Sequence, residues 1–203
     1  MLTADTGQGF TELLTDATFS VVSTLSTTGF WVADWGTWSN GAQALIMVAI
    51  GIGSMSGSIG GGFRVARAMA LTTYARREVV RQLRPSVVVA VKVGRQVVDD
   101  RLMDRIVGYQ ILYLFIGGLG ALGLALGGAS VMTALTGTVS ALSTVGPALG
   151  QLAPGGGVDS LDPGGRLALI PLMILGRLEL APVLVGLAAL ARAGRRARED
   201  TRS

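Results

Sequence analysis

The 203-residue sequence contains no cysteine and no histidine. Without cysteine there is no disulfide framework and no thiolate chemistry, and the redox compartment leaves no mark on the chain. Without histidine, the commonest metal ligand and the usual general base near neutral pH are both missing. No pairing of base and nucleophile stands elsewhere, so the chain does not read as an enzyme and no cofactor is called for. Charged residues make up only 15% of the chain, and the first 63 residues hold no Lys or Arg. The N-terminal "MLTADTGQGFTELL" has no basic stretch followed by an apolar core, so it is not a secretory signal peptide.

What is present is apolar surface and glycine. Half the residues are hydrophobic, mean hydropathy is +0.55, and 30 residues are Gly, about twice the usual share of roughly 7%. That is the composition of a membrane protein. Ile106–Gly128, "IVGYQILYLFIGGLGALGLALGG", carries no charge and is long enough to cross a hydrocarbon core of about 30 Å. Leu167–Leu190 is long enough too, with Arg177 and Glu179 at its middle. A third apolar segment, "GAQALIMVAIGIG" from Gly41, dissolves into "SMSGSIGGG" before "FRVARAMAL" resumes a helical pattern. Two further segments, about Thr11 to Ser26 and Ser130 to Ser143, are helical in pattern and too short to cross.

The basic residues sort by position. Ten, from Arg64 to Arg105, lie between the first and second spans, and five, from Arg192 to Arg202, lie in the tail. This asymmetry puts the central connection and the tail on the cytoplasmic side, with three crossings. Such a distribution reads as a topology signal rather than as a nucleic-acid surface, despite the net charge of +4.

One motif occurs twice. Val22–Gly29, "VSTLSTTG", and Val139–Gly146, "VSALSTVG", agree at six of eight positions. Each follows a half-length helical segment on the outer side, and each precedes a polar loop and then an inward span. That is the order of a re-entrant pore loop. Non-helical backbone at membrane depth is tolerated where it lines water or is buried in protein. Successive carbonyls of an extended Thr-x-Gly stretch can replace the water shell of an alkali cation. β-Branched Thr and Val favour that extended backbone, and Gly supplies positive φ. The expected ion-binding residues are Thr27, Thr28 and Gly29 with Thr144, Val145 and Gly146, through carbonyls and hydroxyls. A plain helix-packing or turn motif is the competing reading.

Gly51–Gly62, "GIGSMSGSIGGG", places six glycines and three serines inside a span. It lacks the spacing of a phosphate-cradling loop and has no following Lys. Unwound backbone here needs protein or hydrated-cavity partners, and close small-residue packing is the alternative. Arg177, at the middle of a span, is expected to face the bundle interior or water with a partner. It either projects toward the glycine segment or locks two helices as a structural ion pair.

With these residues in order, the chain resembles the C-terminal half of the Trk/Ktr/HKT superfamily of cation-transport subunits. "STLSTTGFWVADWGTW" resembles a third filter and its outer loop, and "IGIGSMSGSIGGGFRVAR" a broken third-repeat inner helix. "STVGPALG" resembles the fourth filter, and "LGRLELAPVLV" the fourth-repeat inner helix. The resemblance implies an all-α integral membrane fold of helix–pore loop–helix repeats, here about three transmembrane helices plus two re-entrant pore helices. Residues 1–71 are then the pore helix, filter and broken inner helix of a third repeat, and 72–105 the basic cytoplasmic connection. Residues 106–191 are the fourth repeat, and 192–203 a cytoplasmic tail. The glycine segment, Gly53, Ser54, Ser56, Gly57, Ser58, Gly60, Gly61 and Gly62, is implied to gate the pore together with Arg177.

The implied function is potassium transport across the cell membrane, with sodium as the alternative ion. A non-conducting membrane scaffold is the reading from another class. The resemblance also implies an N-terminal half of the same subunit, covalent or separate, a homodimer, a cytosolic nucleotide-binding regulatory subunit and surrounding membrane lipid. Only ten residues precede the first pore-helix candidate, and two filter loops are present where a fourfold filter needs four. The chain by itself is therefore not expected to conduct. Ser143-Thr144 stands where relatives would carry a more Asn-like residue.

Overall fold

A computed structural model describes residues 9–54, 60–84 and 99–178, together with the backbone of 92–93 and 96–97. Among the described residues six helices follow in order: α1 Phe10–Leu25, α2 Asn40–Ile52, α3 Val65–Leu83, α4 Asp100–Leu126, α5 Val131–Ser143 and α6 Pro163–Leu178. The other regular structure is a two-residue antiparallel pairing between α3 and α4, of β1 Lys92–Val93 with β2 Gln96–Val97. Three single 3₁₀ turns lie in the loops.

The helix starts follow from local chemistry. The Ser130 hydroxyl accepts from Thr133 N at 3.2 Å and opens α5, and the Asp99 carboxylate accepts from Asp100 N at 2.9 Å and opens α4. Side-chain acceptors there satisfy amides that have no partner within the helix. Helix α4 therefore begins six residues before the apolar run at Ile106, because hydropathy alone counts its charged first turns as loop.

At 27 residues, α4 is about 40 Å long. Among the described residues it is the one helix long and apolar enough to cross a membrane. Its large side chains Ile111, Leu114, Phe115, Leu119 and Leu122 are all more than half exposed. On its inner side the closest approach is at a glycine: a β-carbon on Gly120 would lie 2.6 Å from Leu172 and 3.1 Å from Thr138. Large apolar groups outward and glycine inward suit a hydrocarbon surrounding, where close backbone approach drives packing. Helix α2 and helix α5 are apolar but 13 residues each. Of the expected span Leu167–Leu190, residues 179–190, Glu179 among them, lie outside the described residues.

Helices α4, α5 and α6 form the principal core, with Leu124, Ala141, Leu142, Leu152, Leu169 and Leu172 buried at its centre. A second cluster joins Trp35, Ile46 and Ile50 to Val145, so the two halves of the chain meet at the second copy of the repeated motif. A third, Ala70 with Met103, packs α3 on the first turns of α4. There Arg77 donates to Asp100 at 2.7 Å, and Arg67 lies 4.0 Å over the Tyr109 ring. The hydrogen bond to the Asp100 carboxylate raises the pKa of the Arg77 guanidinium above its ordinary value. Helix α3 runs without interruption through residues 71 and 72.

Candidate functional site

The two copies of the motif adopt the same local structure. Helix α1 stops at Leu25 and α5 at Ser143, and in each case a threonine two or one residues on takes a left-handed conformation: φ is 55° at Thr27 and 58° at Thr144. Each closes its helix with an amide bonded three residues back, Thr27 N to Thr24 O at 3.2 Å and Thr144 N to Ala141 O at 3.1 Å. The next amides reach five residues back, Thr28 N to Ser23 O at 2.9 Å and Val145 N to Ser140 O at 3.1 Å. Gly29 and Gly146 then carry the chain away from the helix ends at φ 77° and 106°.

This differs from the extended backbone expected for the threonines. A β-branched residue at positive φ is strained and persists where its surroundings hold it. The surroundings are the glycine segment. Gly61 N donates to Thr144 Oγ1 at 3.0 Å, and a β-carbon on Gly60 would lie 2.6 Å from Thr27 Oγ1 and 2.5 Å from Ser54 Oγ. One short segment thus touches the hydroxyl of both turns.

The glycine segment leaves α2 at Gly53 and returns at Gly62, and its two ends are pinned together. Phe63 N donates to Gly51 O at 3.2 Å and Val65 N to Ser54 O at 3.4 Å. Gly62 N donates to Leu142 O at 3.3 Å, a carbonyl at the end of α5. Helix α6 reaches the same carbonyl: a β-carbon on Gly176 would lie 2.5 Å from Leu142 O. Three backbones therefore converge without room for side chains, and Arg177 follows directly on that point of contact. Of the expected gate residues, Gly53, Ser54, Gly60, Gly61, Gly62 and Arg177 are described, whereas Ser56, Gly57 and Ser58 lie outside the described residues.

The six expected filter residues fall on two adjoining turns. Gly29 lies directly against the carbonyl of Val145. The Val145 side chain is buried among Trp35, Ile46 and Ile50, so its oxygen is what it presents to the motif of the first copy. Thr28, at the equivalent position, is exposed, and its hydroxyl is 2.8 Å from that of Ser26. A cleft of about 470 Å³ opens beside Thr144, Val145 and Gly146, with Leu169 and Met173 of α6 on its wall. Each turn sits at the C-terminal end of its helix, where the backbone dipole favours a cation.

The motif residues alone leave out a row of hydroxyls on α5. Thr133, Thr136 and Ser140, at i, i+3 and i+7, share one face, and each bonds the segment that returns past the helix. Thr133 Oγ1 accepts from Gln151 N at 3.0 Å and Thr136 Oγ1 from Leu149 N at 3.2 Å. Ser140 Oγ accepts from Gly146 N at 3.1 Å and donates to Pro147 O at 2.6 Å. On α1, Ser23 Oγ donates to Phe30 O at 2.6 Å. The signal for these residues is a hydroxyl periodicity on a helix followed by backbone with no helical or strand partners.

A family model described as TrkH, cation transport protein, matches residues 10–195. The chain is 38% identical over 173 residues to the Trk system potassium uptake protein TrkH of Halomonas elongata, covering 85% of this chain and 35% of that protein. It is 30% identical over 172 residues to the protein of the same name from Escherichia coli, with the same coverage. The structure is similar to that of the potassium transporter TrkH from Vibrio parahaemolyticus, with a TM-score of 0.74 and 29% identity over 87% of this chain and 37% of that one. The chain therefore spans about a third of the length of the relatives it matches.

Proposed function

The chain belongs to the TrkH family of cation transport proteins, and from that premise we propose that it forms part of a potassium-conducting path across a membrane. The observation that carries this reading is the doubled turn: two half-length helices end in the same left-handed Thr and positive-φ Gly, and the turns meet where Gly29 lies against Val145 O. The relatives are named as potassium uptake proteins. In this reading α1 and α5 are re-entrant pore helices, and Thr27–Gly29 and Thr144–Gly146 are two walls of a filter. Carbonyl oxygens there replace the hydration shell of the ion, and the helix C-termini stabilise its charge.

The described end of the glycine segment, Gly60–Gly62, packs against both turns and is the part that would obstruct the path, with Arg177 adding a positive barrier to cations. The 1–71 and 106–191 segments act as two neighbouring repeats of one subunit, with 72–105 and 192–203 in the cytoplasm and the filters outside. The remaining filter walls come from an N-terminal portion of the same subunit. A second copy and a cytosolic nucleotide-binding subunit complete the assembly. Sodium in place of potassium is the nearest variant of this reading.

The test uses the complete subunit containing this chain, expressed in cells that lack potassium uptake. Growth at low potassium is expected to be restored by the wild type and lost with Gly29→Ser and Gly146→Ser together. Equal rescue by the double variant sinks the filter assignment.

A further inference from the structure

The hydroxyls of Ser23 and Ser140 occupy the same place in the two copies of the motif. Each is buried, and each donates at 2.6 Å to the carbonyl seven residues on, Phe30 O in the first copy and Pro147 O in the second. Bonds this short are at the strong end for hydroxyl donors. A carbonyl that accepts from its own helix is directed back toward that helix. It is then unavailable to a passing ion, and the peptide it belongs to is held at a fixed rotation, which limits the freedom of the motif glycine just before it. In the second copy the constraint is doubled, because the same Ser140 oxygen also accepts from Gly146 N at 3.1 Å.

We propose that Ser23 and Ser140 are positioning residues that set ion selectivity: each ends the run of ion-facing carbonyls at the motif glycine and fixes its geometry. This rests on the filter reading above and goes beyond it, since neither serine belongs to the ion-contacting set. Both copies of the motif make the bond, although the helices bearing them differ in burial. Helix α1 is exposed over much of its length, whereas most residues of α5 are buried. The physical logic of the bond is that discrimination between two alkali cations requires oxygens held at a set spacing, which a backbone free to rotate does not provide.

Thr133 serves as the internal control. From the same face of α5 its hydroxyl accepts from Gln151 N at 3.0 Å, as that of Ser140 accepts from Gly146 N, but two turns away from the motif and with no carbonyl of the returning segment clamped. The experiment measures competing sodium and potassium uptake by the complete subunit in cells or vesicles, at matched protein levels, for Ser140→Ala, Ser23→Ala and Thr133→Val. Removing one neutral hydrogen bond is worth about a two- to tenfold change in an equilibrium. Ser140→Ala is expected to raise sodium uptake relative to potassium by that amount and to raise the KM for potassium more than it lowers maximal flux. Ser23→Ala is expected to act in the same direction, and Thr133→Val to lower protein yield without changing the ratio.

Unchanged ratios in both serine variants overturn the proposal, as does an equal shift in Thr133→Val. Gly146→Ser, run alongside, separates the two readings. If the glycine variant changes selectivity and the serine variants do not, the filter stands and the clamp falls. If none of them changes it, the filter reading falls with the clamp.

Discussion

Gly29 lies so close to the carbonyl of Val145 that a β-carbon on it would take the oxygen's place. More than half the length of the chain separates these residues, yet their backbones touch. The contact joins the two halves at their matching turns, and the Trp35, Ile46, Ile50 and Val145 cluster supports it from behind. The equivalent glycine differs: nothing lies within 4 Å of a β-carbon on Gly146, beside the cleft.

The asymmetry yields a first prediction. Gly29→Ala combines a strained positive φ with overlap against backbone, at a cost on the order of 3 kcal/mol. Gly146→Ala carries only the backbone strain, about 1–2 kcal/mol. Thermal unfolding of the purified complete subunit should show a clearly larger loss for the first. The Gly146 variant should still assemble while its transport changes. Equal destabilisation would contradict the placement of Gly29 against Val145.

Thr144 joins the second turn to the glycine segment through its hydroxyl. Thr144→Val removes the acceptor for Gly61 N and leaves that amide unpaired, at a cost of about 1–3 kcal/mol to the arrangement seen here. If that arrangement obstructs the path, the variant should show a several-fold higher basal flux, and Thr144→Ser should stay near wild type. Vesicle flux without any regulatory subunit is the measurement. A valine variant no faster than wild type would detach the gate role from this bond.

At the junction of α3 and α4, burial and charge make separate contributions. Met103 is 1% exposed and packs on Ala70, so Met103→Ala should cost about 2 kcal/mol or more. The Arg77–Asp100 pair is short but its carboxylate is open to solvent, and exposed pairs contribute little and are screened by salt. Asp100→Asn should therefore change the unfolding temperature only slightly, and less still at high salt. A larger loss from Asp100→Asn than from Met103→Ala would reverse this ranking.

Much of this arrangement is legible in the residues. The duplicated "VSxLSTxG" marks both turns and the glycine cluster marks the break after Ile52, whereas the start of α4 at Asp100 is hidden by its charged first turns. The conformation of Thr27 and Thr144 is not legible, because β-branching favours extended backbone and the bond from Gly61 that holds Thr144 comes from far along the chain. Nor does composition expose the hydroxyl row of α5. Thr133, Thr136 and Ser140 read as mild polarity in a moderately apolar helix until the returning segment Gly146–Gln151 is laid beside them.

The convergence of Gly176, Gly61 and Leu142 gives the last prediction. A β-carbon on Gly176 would lie 2.5 Å from Leu142 O and 2.9 Å from Ala141 O, and one on Gly61 would lie 2.6 Å from Leu142 O. Because the atoms met by a β-carbon on Gly176 are backbone at the end of α5, no side chain can give way, and either helix α6 or the end of α5, to which Gly62 N is bonded, must shift. Gly176→Ala should therefore displace Arg177 and loosen the segment packed against both turns, at a cost of about 1–3 kcal/mol. Two readouts separate the consequences: thermal unfolding reports the strain, and vesicle flux reports whether the path opens. A stable variant with raised flux would tie the α6 contact to gating. An unstable one with no flux would make the contact purely architectural. A variant matching wild type in both would contradict the close approach itself.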